Sequence, residues 1–136
     1  MKRIKKEKRK ELLSRLERFV ADEVAKEEAN YTQWYRESKW YKPAAMEDAF
    51  SEDMVRDILD LKDAVNKGED LTARKSRYEY CAREYGRSWW DEDLQCYRSG
   101  YEWETNVYVF LHNIVAEAAG GKQLHLDECY EGYGDC

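Results

Sequence analysis

The sequence predicts an all-α fold, a single-domain bundle of five or six helices whose first helix is long and basic. Apolar residues recur at three- and four-residue steps along several segments, which is the spacing of one helix face. The 7 glycines and the 1 proline fall between those segments. The length of 136 residues suits one domain, residues 1–136, and no fixed-period repeat or long linker divides it.

The composition narrows the class of protein. No run of about 18 apolar residues predicts a membrane span, and the basic N-terminus lacks the apolar segment of a secretory signal. Aromatic residues make up 14% of the chain, which argues against disorder and predicts a core that depends on Tyr and Trp. We therefore expect a folded, cytoplasmic protein.

The first helix is predicted from about residue 5 to Asn30. Residues 1–11 hold seven basic and two acidic side chains and continue into this helix as a basic arm. Residues 12–136 retain 16 basic and 27 acidic residues, a net charge of -11, so an acidic body carries the arm. The apolar stripe of the helix consists of Leu12, Leu13, Leu16, Phe19, Val20 and Val24.

Residues 31–41 are rich in Tyr and Trp and predict a short second helix. Lys42–Pro43 ends it, because the residue before proline is disfavoured in helical conformation. A third helix is predicted to begin after Ser51 as its N-cap and to end at Gly68 as its C-cap.

A fourth helix is predicted from Asp70 or Thr72 to Gly86. Ser88–Asp91 resembles a capping box, with Asp in place of Glu or Gln, and predicts a short fifth helix that ends before Gly100.

Residues 101–109 contain strand-forming Val and Tyr residues, but the spacing of the apolar residues favours a last helix over residues 106–119. Residues 122–136 are predicted to be an acidic tail with Leu124 and Leu126 as anchors.

The four cysteines lack CxxC spacing and are expected to be reduced thiols, with a Cys129–Cys136 disulfide as the alternative in an oxidising buffer. Cys129, Cys136 and His125 are soft metal ligands, but they lack the close ligand pairs that zinc prefers, so no metal is expected. Neither His125 nor His112 belongs to a recognisable nucleophile motif, and no phosphate-binding loop is present. We expect no enzyme and no cofactor.

Acidic residues crowd residues 47–70, and Asp53, Asp57 and Asp60 share one face of the third helix. Like charges at this spacing destabilise a helix. The row is therefore either a solvated face or a set of carboxylates that mimics nucleic-acid phosphates and binds a basic cleft. The predicted partner-binding charges are Glu47, Asp48, Asp53, Asp57 and Asp60. The predicted ring anchors are Trp34, Tyr35, Trp40, Tyr41, Trp89 and Trp90.

A short, acidic, helical chain that is rich in Tyr and Trp and lacks a catalytic motif resembles small phage-borne inhibitors, among them some antirestriction and anti-CRISPR proteins. The resemblance is one of composition and assigns no site. It implies a non-enzymatic protein that binds a nucleic-acid-handling protein, such as a nuclease effector. The inhibitor would block that partner by occupying its basic groove, as a DNA mimic does.

Two alternatives stay open, and neither involves a membrane. In the first, the chain is an accessory protein that binds nucleic acid through the arm and an Arg/Tyr-rich helix. Its contacts would be Lys2, Arg3, Lys5, Lys6, Lys8, Arg9, Lys10, Arg74, Arg77 and Arg83. In the second, the chain is an oligomerising structural bundle in which the first helix pairs with its own copy.

Overall fold

A computed structural model describes residues 4–136, and the chain is mostly helical, which confirms the predicted all-α character. Those residues form seven helices and one β-hairpin, and three of the helices are single turns of four residues. The helices are α1 Lys6–Ala29, α2 Gln33–Arg36, α3 Met46–Ala49, α4 Glu52–Lys67, α5 Thr72–Gly86, α6 Glu102–Ala119 and α7 Leu126–Cys129. The strands are β1 Trp89–Asp91 and β2 Cys96–Arg98.

The described chain divides into two compact units. The first unit is Lys5–Gly68, and the second contains residues 69–136 together with Ile4. That the whole chain folds as one domain stays a prediction. Within residues 4–136, no helix combines the length and the apolar character that crossing a bilayer requires.

The first unit is built on α1 and α4, which pack against each other. Leu12 and Leu16 are the buried members of the predicted α1 stripe. The ends of α4 lie where the sequence predicts them. The Ser51 hydroxyl accepts a hydrogen bond from the Met54 amide at 3.3 Å, and Gly68 ends the helix in the left-handed region at φ 70°.

The second unit is built on α5 and α6, which share the most extensive helix contact in the described chain. Tyr78 and Tyr108 are fully buried there, with ring centroids 6.2 Å apart. Tyr85 stacks on Tyr108 at 5.8 Å. The core of this unit therefore depends on tyrosine, as the composition predicts. Helix α6 begins four residues earlier than the predicted residue 106.

The predicted fifth helix is wrong, because residues 89–98 form the antiparallel hairpin of β1 and β2. The Asp91 carboxylate does not cap a helix; it accepts hydrogen bonds from the Asp93 and Leu94 amides, at 3.0 and 3.1 Å, within the hairpin loop. Trp90 pairs across the strands with Tyr97, and their rings meet edge to face at 5.1 Å. Aromatic cross-strand pairs favour a hairpin over a helix of the same residues.

The C-terminal segment is not a loose tail. Cys136 forms a disulfide with Cys96 on β2, and the Cα atoms of the two residues lie 5.5 Å apart. The expectation of four reduced thiols is therefore wrong, and so is the Cys129–Cys136 alternative. Cys81 and Cys129 are not part of a disulfide, and Cys129 is buried. Because disulfides are usual in oxidising compartments, the cytoplasmic location stays a prediction.

Candidate protein-binding surface

Two tryptophans project from the segment that joins α1 to α3. The Thr32 hydroxyl accepts a hydrogen bond from the Tyr35 amide at 3.1 Å and starts the single turn of α2. This turn brings Trp34 and Trp40 together, with their rings stacked at 6.5 Å between centroids and 29° between planes. Trp34 is 72% exposed and Trp40 is 63% exposed. We call these two side chains the tryptophan pair.

The tyrosines of the same segment support the pair rather than extend it. Tyr35 and Tyr41 are half-buried and meet edge to face at 5.5 Å, and Tyr31 meets Tyr35 in the same way at 5.1 Å. The Tyr35 hydroxyl accepts a hydrogen bond from the Lys42 amide at 3.1 Å. The four predicted anchors in this segment therefore divide into two exposed rings and two supporting rings.

Glu28, near the end of α1, holds this segment in place through hydrogen bonds. Its carboxylate accepts hydrogen bonds from the Tyr41 hydroxyl and, at 2.6 Å, from the Ala44 amide. Its backbone carbonyl accepts from the Arg36 guanidinium at 2.7 Å. The hydrogen bond from Tyr41, and then that from Ala44, hold the pKa of the Glu28 carboxyl below its ordinary value of 4.5. The same Tyr41–Glu28 bond raises the pKa of the Tyr41 phenol above 10.0.

These two pKa shifts predict a pH window for the order of the aromatic segment. A lowered carboxyl pKa contributes stability above about pH 4.5, and that contribution is lost as the pH falls through the lowered pKa of Glu28. A raised phenol pKa contributes stability below about pH 10, and that contribution is lost as the pH rises through the raised pKa of Tyr41. The near-ultraviolet circular dichroism signal of the aromatic segment, measured between about pH 2 and 12, is expected to decrease at both extremes of pH. The decrease at low pH follows the lowered pKa of Glu28, and the decrease at high pH follows the raised pKa of Tyr41.

The variant Glu28→Gln removes the charge that both shifts require, so its aromatic signal at neutral pH is expected to be weaker and its profile flatter. Glu37→Gln is the matched control, because the Glu37 carboxylate accepts from Gln33 at 2.8 Å within the same segment and not from Tyr41. Identical profiles for Glu28→Gln and the unmodified chain would contradict the assignment.

A cationic group borders the tryptophan pair. The Lys39 ammonium lies over the Trp40 ring, 5.0 Å from its centroid, a distance at which a cation is attracted by the face of the ring. The exposed surface there combines apolar rings with a charged rim, which is the composition of protein–protein contact surfaces.

The predicted acidic row does not form one exposed surface. Asp53 and Asp60 are exposed, but Asp57 is buried at 7% exposure. Asp57 lies three residues after Met54 and four before Leu61, so it shares the buried face of α4. The prediction of a continuous exposed row is therefore wrong at Asp57. The helical spacing of Asp57 from Met54 and Leu61 already indicates that it lies on the buried face.

The other predicted charges of this set are exposed but partly engaged within the chain. Arg56 lies 3.3 Å from Glu52 and 3.5 Å from Asp53, so it relieves part of the repulsion along α4. The Asp48 carboxylate accepts a hydrogen bond from the Ala45 amide at 2.8 Å and caps α3. Glu47 is exposed on the same short helix.

The remaining ring anchors lie in the second unit. Trp89 is half-buried; Tyr101 stacks on it at 6.0 Å, and the Arg98 guanidinium lies 5.8 Å from its ring centroid. Trp90 is 42% exposed against Tyr97. Trp89 therefore contributes mainly to packing, and Trp90 offers a smaller exposed face than Trp34 or Trp40.

Several cations of the nucleic-acid alternative form ion pairs or hydrogen bonds within the chain. Lys2 and Arg3 lie outside the described residues. Lys8 pairs with Glu11 at 3.6 Å, and the Arg9 guanidinium donates to the Asn66 carbonyl at 3.1 Å. Arg74 pairs with Glu69 at 3.4 Å and Arg83 with Glu79 at 3.2 Å. The predicted contacts that are exposed are Lys5, Lys6, Lys10, Arg77 and Arg83.

The metal ligands considered at the C-terminus are not brought together as a set. Among residues 4–136, one group of potential ligands gathers within 4.8 Å, and it consists of Cys96, Asp135 and Cys136. Its two sulfur atoms are bonded to each other in the disulfide. His125 and Cys129 are not part of this group.

Comparison with protein-family models, curated proteins and solved structures finds no match to this chain.

Proposed function

We propose that this chain is a non-enzymatic interaction protein that binds another protein through the tryptophan pair. One observation carries the proposal: two large rings are stacked, mostly exposed, and held by a hydrogen-bonded segment anchored on Glu28. Trp is among the residues most enriched at the energetic centres of protein interfaces. A segment that is ordered before binding also loses less conformational entropy when it binds.

The charge of the chain supports a basic partner. The net charge is -6, and Glu47, Asp53 and Asp60 are exposed on α3 and α4 of the unit that carries the tryptophan pair. Complementary charge speeds association and selects partners of the opposite sign. We propose that the partner is a nucleic-acid-handling protein, such as a nuclease effector, and that binding blocks its basic groove.

The proposal is tested with two purified DNA-cleaving enzymes, an RNA-guided nuclease complex and a restriction endonuclease. The unmodified protein is expected to bind at least one of them and to inhibit cleavage of duplex DNA. The double variant Trp34→Ala/Trp40→Ala is expected to bind at least about 100-fold more weakly, because each central ring contributes about 2 kcal/mol or more at such interfaces. Biolayer interferometry measures the affinity, and a gel-based cleavage assay measures the inhibition.

Tyr80→Ala is the matched control, because Tyr80 is 66% exposed on α5 and lies outside the tryptophan pair. Equal affinity of the double variant and of Tyr80→Ala would exclude the tryptophan pair as the binding surface. Absence of binding to both enzymes, together with salt-sensitive binding of labelled duplex DNA by the chain, would replace the proposal with the nucleic-acid alternative.

The charge component has its own test. Glu47→Lys/Asp53→Lys/Asp60→Lys is expected to slow association by about 10-fold at low salt and to leave the dissociation rate close to that of the unmodified protein. Asp57 is not included, because a lysine at this buried position would disturb packing rather than report on binding. An unchanged association rate would show that the acidic residues of α3 and α4 do not face the partner.

A further inference from the structure

The second unit contains a polar cavity of about 210 Å³ that the proposed function does not use. Helix α5 supplies three of its charged side chains, α6 supplies a histidine, and the segment that follows α6 closes it together with α7. The charged and titratable side chains that line it are Lys75, Glu79, Arg83, His112, Lys122 and Glu128. Three cationic side chains thus face two carboxylates and one imidazole.

His112 is the buried element of this cavity. Its side chain is 1% exposed, and its Nε2 atom has no hydrogen-bond partner among the described residues. Buried polar atoms of this kind are rare in folded proteins, and they are often completed by a water molecule or a ligand. The unpaired Nε2 atom of His112 therefore indicates that a water molecule or a ligand enters the cavity.

The hydrogen bonds around Asn113 define which nitrogen of His112 carries the proton. The Asn113 amide nitrogen donates to the Leu124 carbonyl at 2.9 Å, and the Asn113 Oδ1 atom accepts from the Leu124 amide at 2.8 Å. Oδ1 is therefore an acceptor, and His112 Nδ1, at 3.0 Å from it, must be the donor. In the neutral imidazole, Nε2 then presents a lone pair to the cavity.

A carboxylate oxygen, which is also an acceptor, lies close to that lone pair. Glu79 Oε1 lies 3.9 Å from His112 Nε2, which is too far for a hydrogen bond. The other oxygen of Glu79 accepts from Arg83 Nε at 3.2 Å, and Arg83 Nη1 donates to the Glu128 carbonyl at 3.2 Å. The cavity thus contains two acceptors, His112 Nε2 and Glu79 Oε1, beside Lys75 and Lys122. A ligand that satisfies this set carries negative charge and also keeps a proton to donate.

We propose that this cavity binds inorganic hydrogen phosphate, which retains a P–O–H group near neutral pH. Its anionic oxygens would face Lys75 and Lys122, and its P–O–H group would donate to His112 Nε2. Sulfate and simple carboxylates carry no such proton near neutral pH, and phosphomonoesters, whose second pKa is about 6, mostly lack it as well. The same cavity therefore discriminates against all three. The proposal is independent of the tryptophan pair.

Isothermal titration calorimetry at constant ionic strength and pH 7 tests the proposal with inorganic phosphate, sulfate and O-phosphoserine. Phosphate is expected to bind at least about 10-fold more tightly than sulfate, because sulfate leaves the buried acceptor without a donor. O-phosphoserine is mostly a dianion without the P–O–H group at pH 7, so it is expected to bind more weakly than inorganic phosphate, and equal or tighter binding of O-phosphoserine would overturn the assigned role of this proton. Equal affinities for phosphate and sulfate would overturn the proposal and leave only general attraction of anions.

Variants and spectroscopy locate the site. Lys75→Gln/Lys122→Gln is expected to weaken phosphate binding at least about 10-fold, whereas Lys42→Gln, an exposed lysine in the first unit, is expected to leave it unchanged. The chain has 2 histidines, so ¹⁵N-labelled histidine reports on each ring. Phosphate is expected to shift the Nε2 signal of His112 and not that of His125. An unmoved His112 signal at saturating phosphate would overturn the proposal even if the variant fails to fold.

Discussion

Replacing both cysteines of the disulfide, Cys96→Ser/Cys136→Ser, is expected to lower the free energy of unfolding by about 4 kcal/mol at 25 °C. The bond closes a loop across a sequence separation of 40 residues. A cross-link of this span restricts the unfolded chain, and the loop-closure estimate for such a length is about 4 kcal/mol. The bond also joins the last described residue of the chain to strand β2, so its loss removes the covalent link that holds the segment after α7 and leaves hydrogen bonds such as that from Glu131 to Gly86.

Urea denaturation, followed by circular dichroism, measures this change. A reducing dithiol provides the internal control, because it is expected to bring the unmodified protein to the stability of the double variant and to leave the variant unchanged. A loss below about 1 kcal/mol would show that backbone hydrogen bonds hold the C-terminal segment without the disulfide. A variant that responds to the dithiol would show that the effect lies elsewhere.

The second large effect is expected at Gly86, where Gly86→Ala should lower the free energy of unfolding by about 3 kcal/mol or more. A Cβ atom at Gly86 would overlap the backbone carbonyl group of Cys129. Because the obstructing atoms belong to the backbone, rotation of a side chain cannot relieve the overlap. The C-terminal segment would have to move away from the end of α5.

That movement would break a set of backbone hydrogen bonds. The Glu131 amide donates to the Gly86 carbonyl at 2.6 Å, and the Gly100 amide donates to the Glu131 carbonyl at 2.8 Å. Gly86 and Gly100 are both buried. Their backbone groups would therefore lose hydrogen-bond partners at positions that are shielded from water. Buried groups without partners add to the cost of the overlap.

Gly120→Ala is the matched control for Gly86→Ala. Gly120 ends α6 at φ 75°, and a Cβ atom there meets nothing within 4 Å. Its substitution is expected to cost only about 1 kcal/mol, from the left-handed backbone. Urea denaturation of both variants measures the difference. Equal losses would mean that the close approach at Gly86 does not constrain the C-terminal segment.

The structure also connects the disulfide to the proposed phosphate cavity. Helix α7 carries Glu128, whose carbonyl accepts from Arg83, and this helix precedes the disulfide-bonded end of the chain. Phosphate affinity is therefore expected to fall when the C-terminal segment is released. Titration of the Cys96→Ser/Cys136→Ser variant with inorganic phosphate measures this coupling, and an unchanged affinity would show that α7 stays in place without the bond.

Much of the fold was accessible from local sequence signals. The ends of α4 follow from a Ser N-cap and a Gly C-cap, which act within a few residues of the chain. The extents of α1 and α5 follow in the same way from apolar spacing and from the residues that interrupt it. The hairpin was not predicted, because Asp91 suits both a helix start and a tight turn, and the pairing of Trp90 with Tyr97 decides between them.

The residues of the candidate sites were harder to predict from the sequence than the helices. The sequence identified Trp34 and Trp40 as ring anchors but could not separate them from Tyr35 and Tyr41, whose supporting role depends on contacts within the folded segment. Glu28 was missed, because a single carboxylate near a helix end carries no distinctive signal. The phosphate cavity was missed as well, because its residues come from three helices and a connecting segment that are distant in sequence.

The amino-acid sequence alone determines that this chain is helical, acidic, rich in aromatic residues, and free of recognisable catalytic motifs, because composition and helical period act over short distances. The tertiary structure decides which rings reach solvent and which cysteines pair. It also decides that His112 faces a polar cavity. These properties depend on contacts between residues that are far apart along the chain, and such contacts form only when the helices pack.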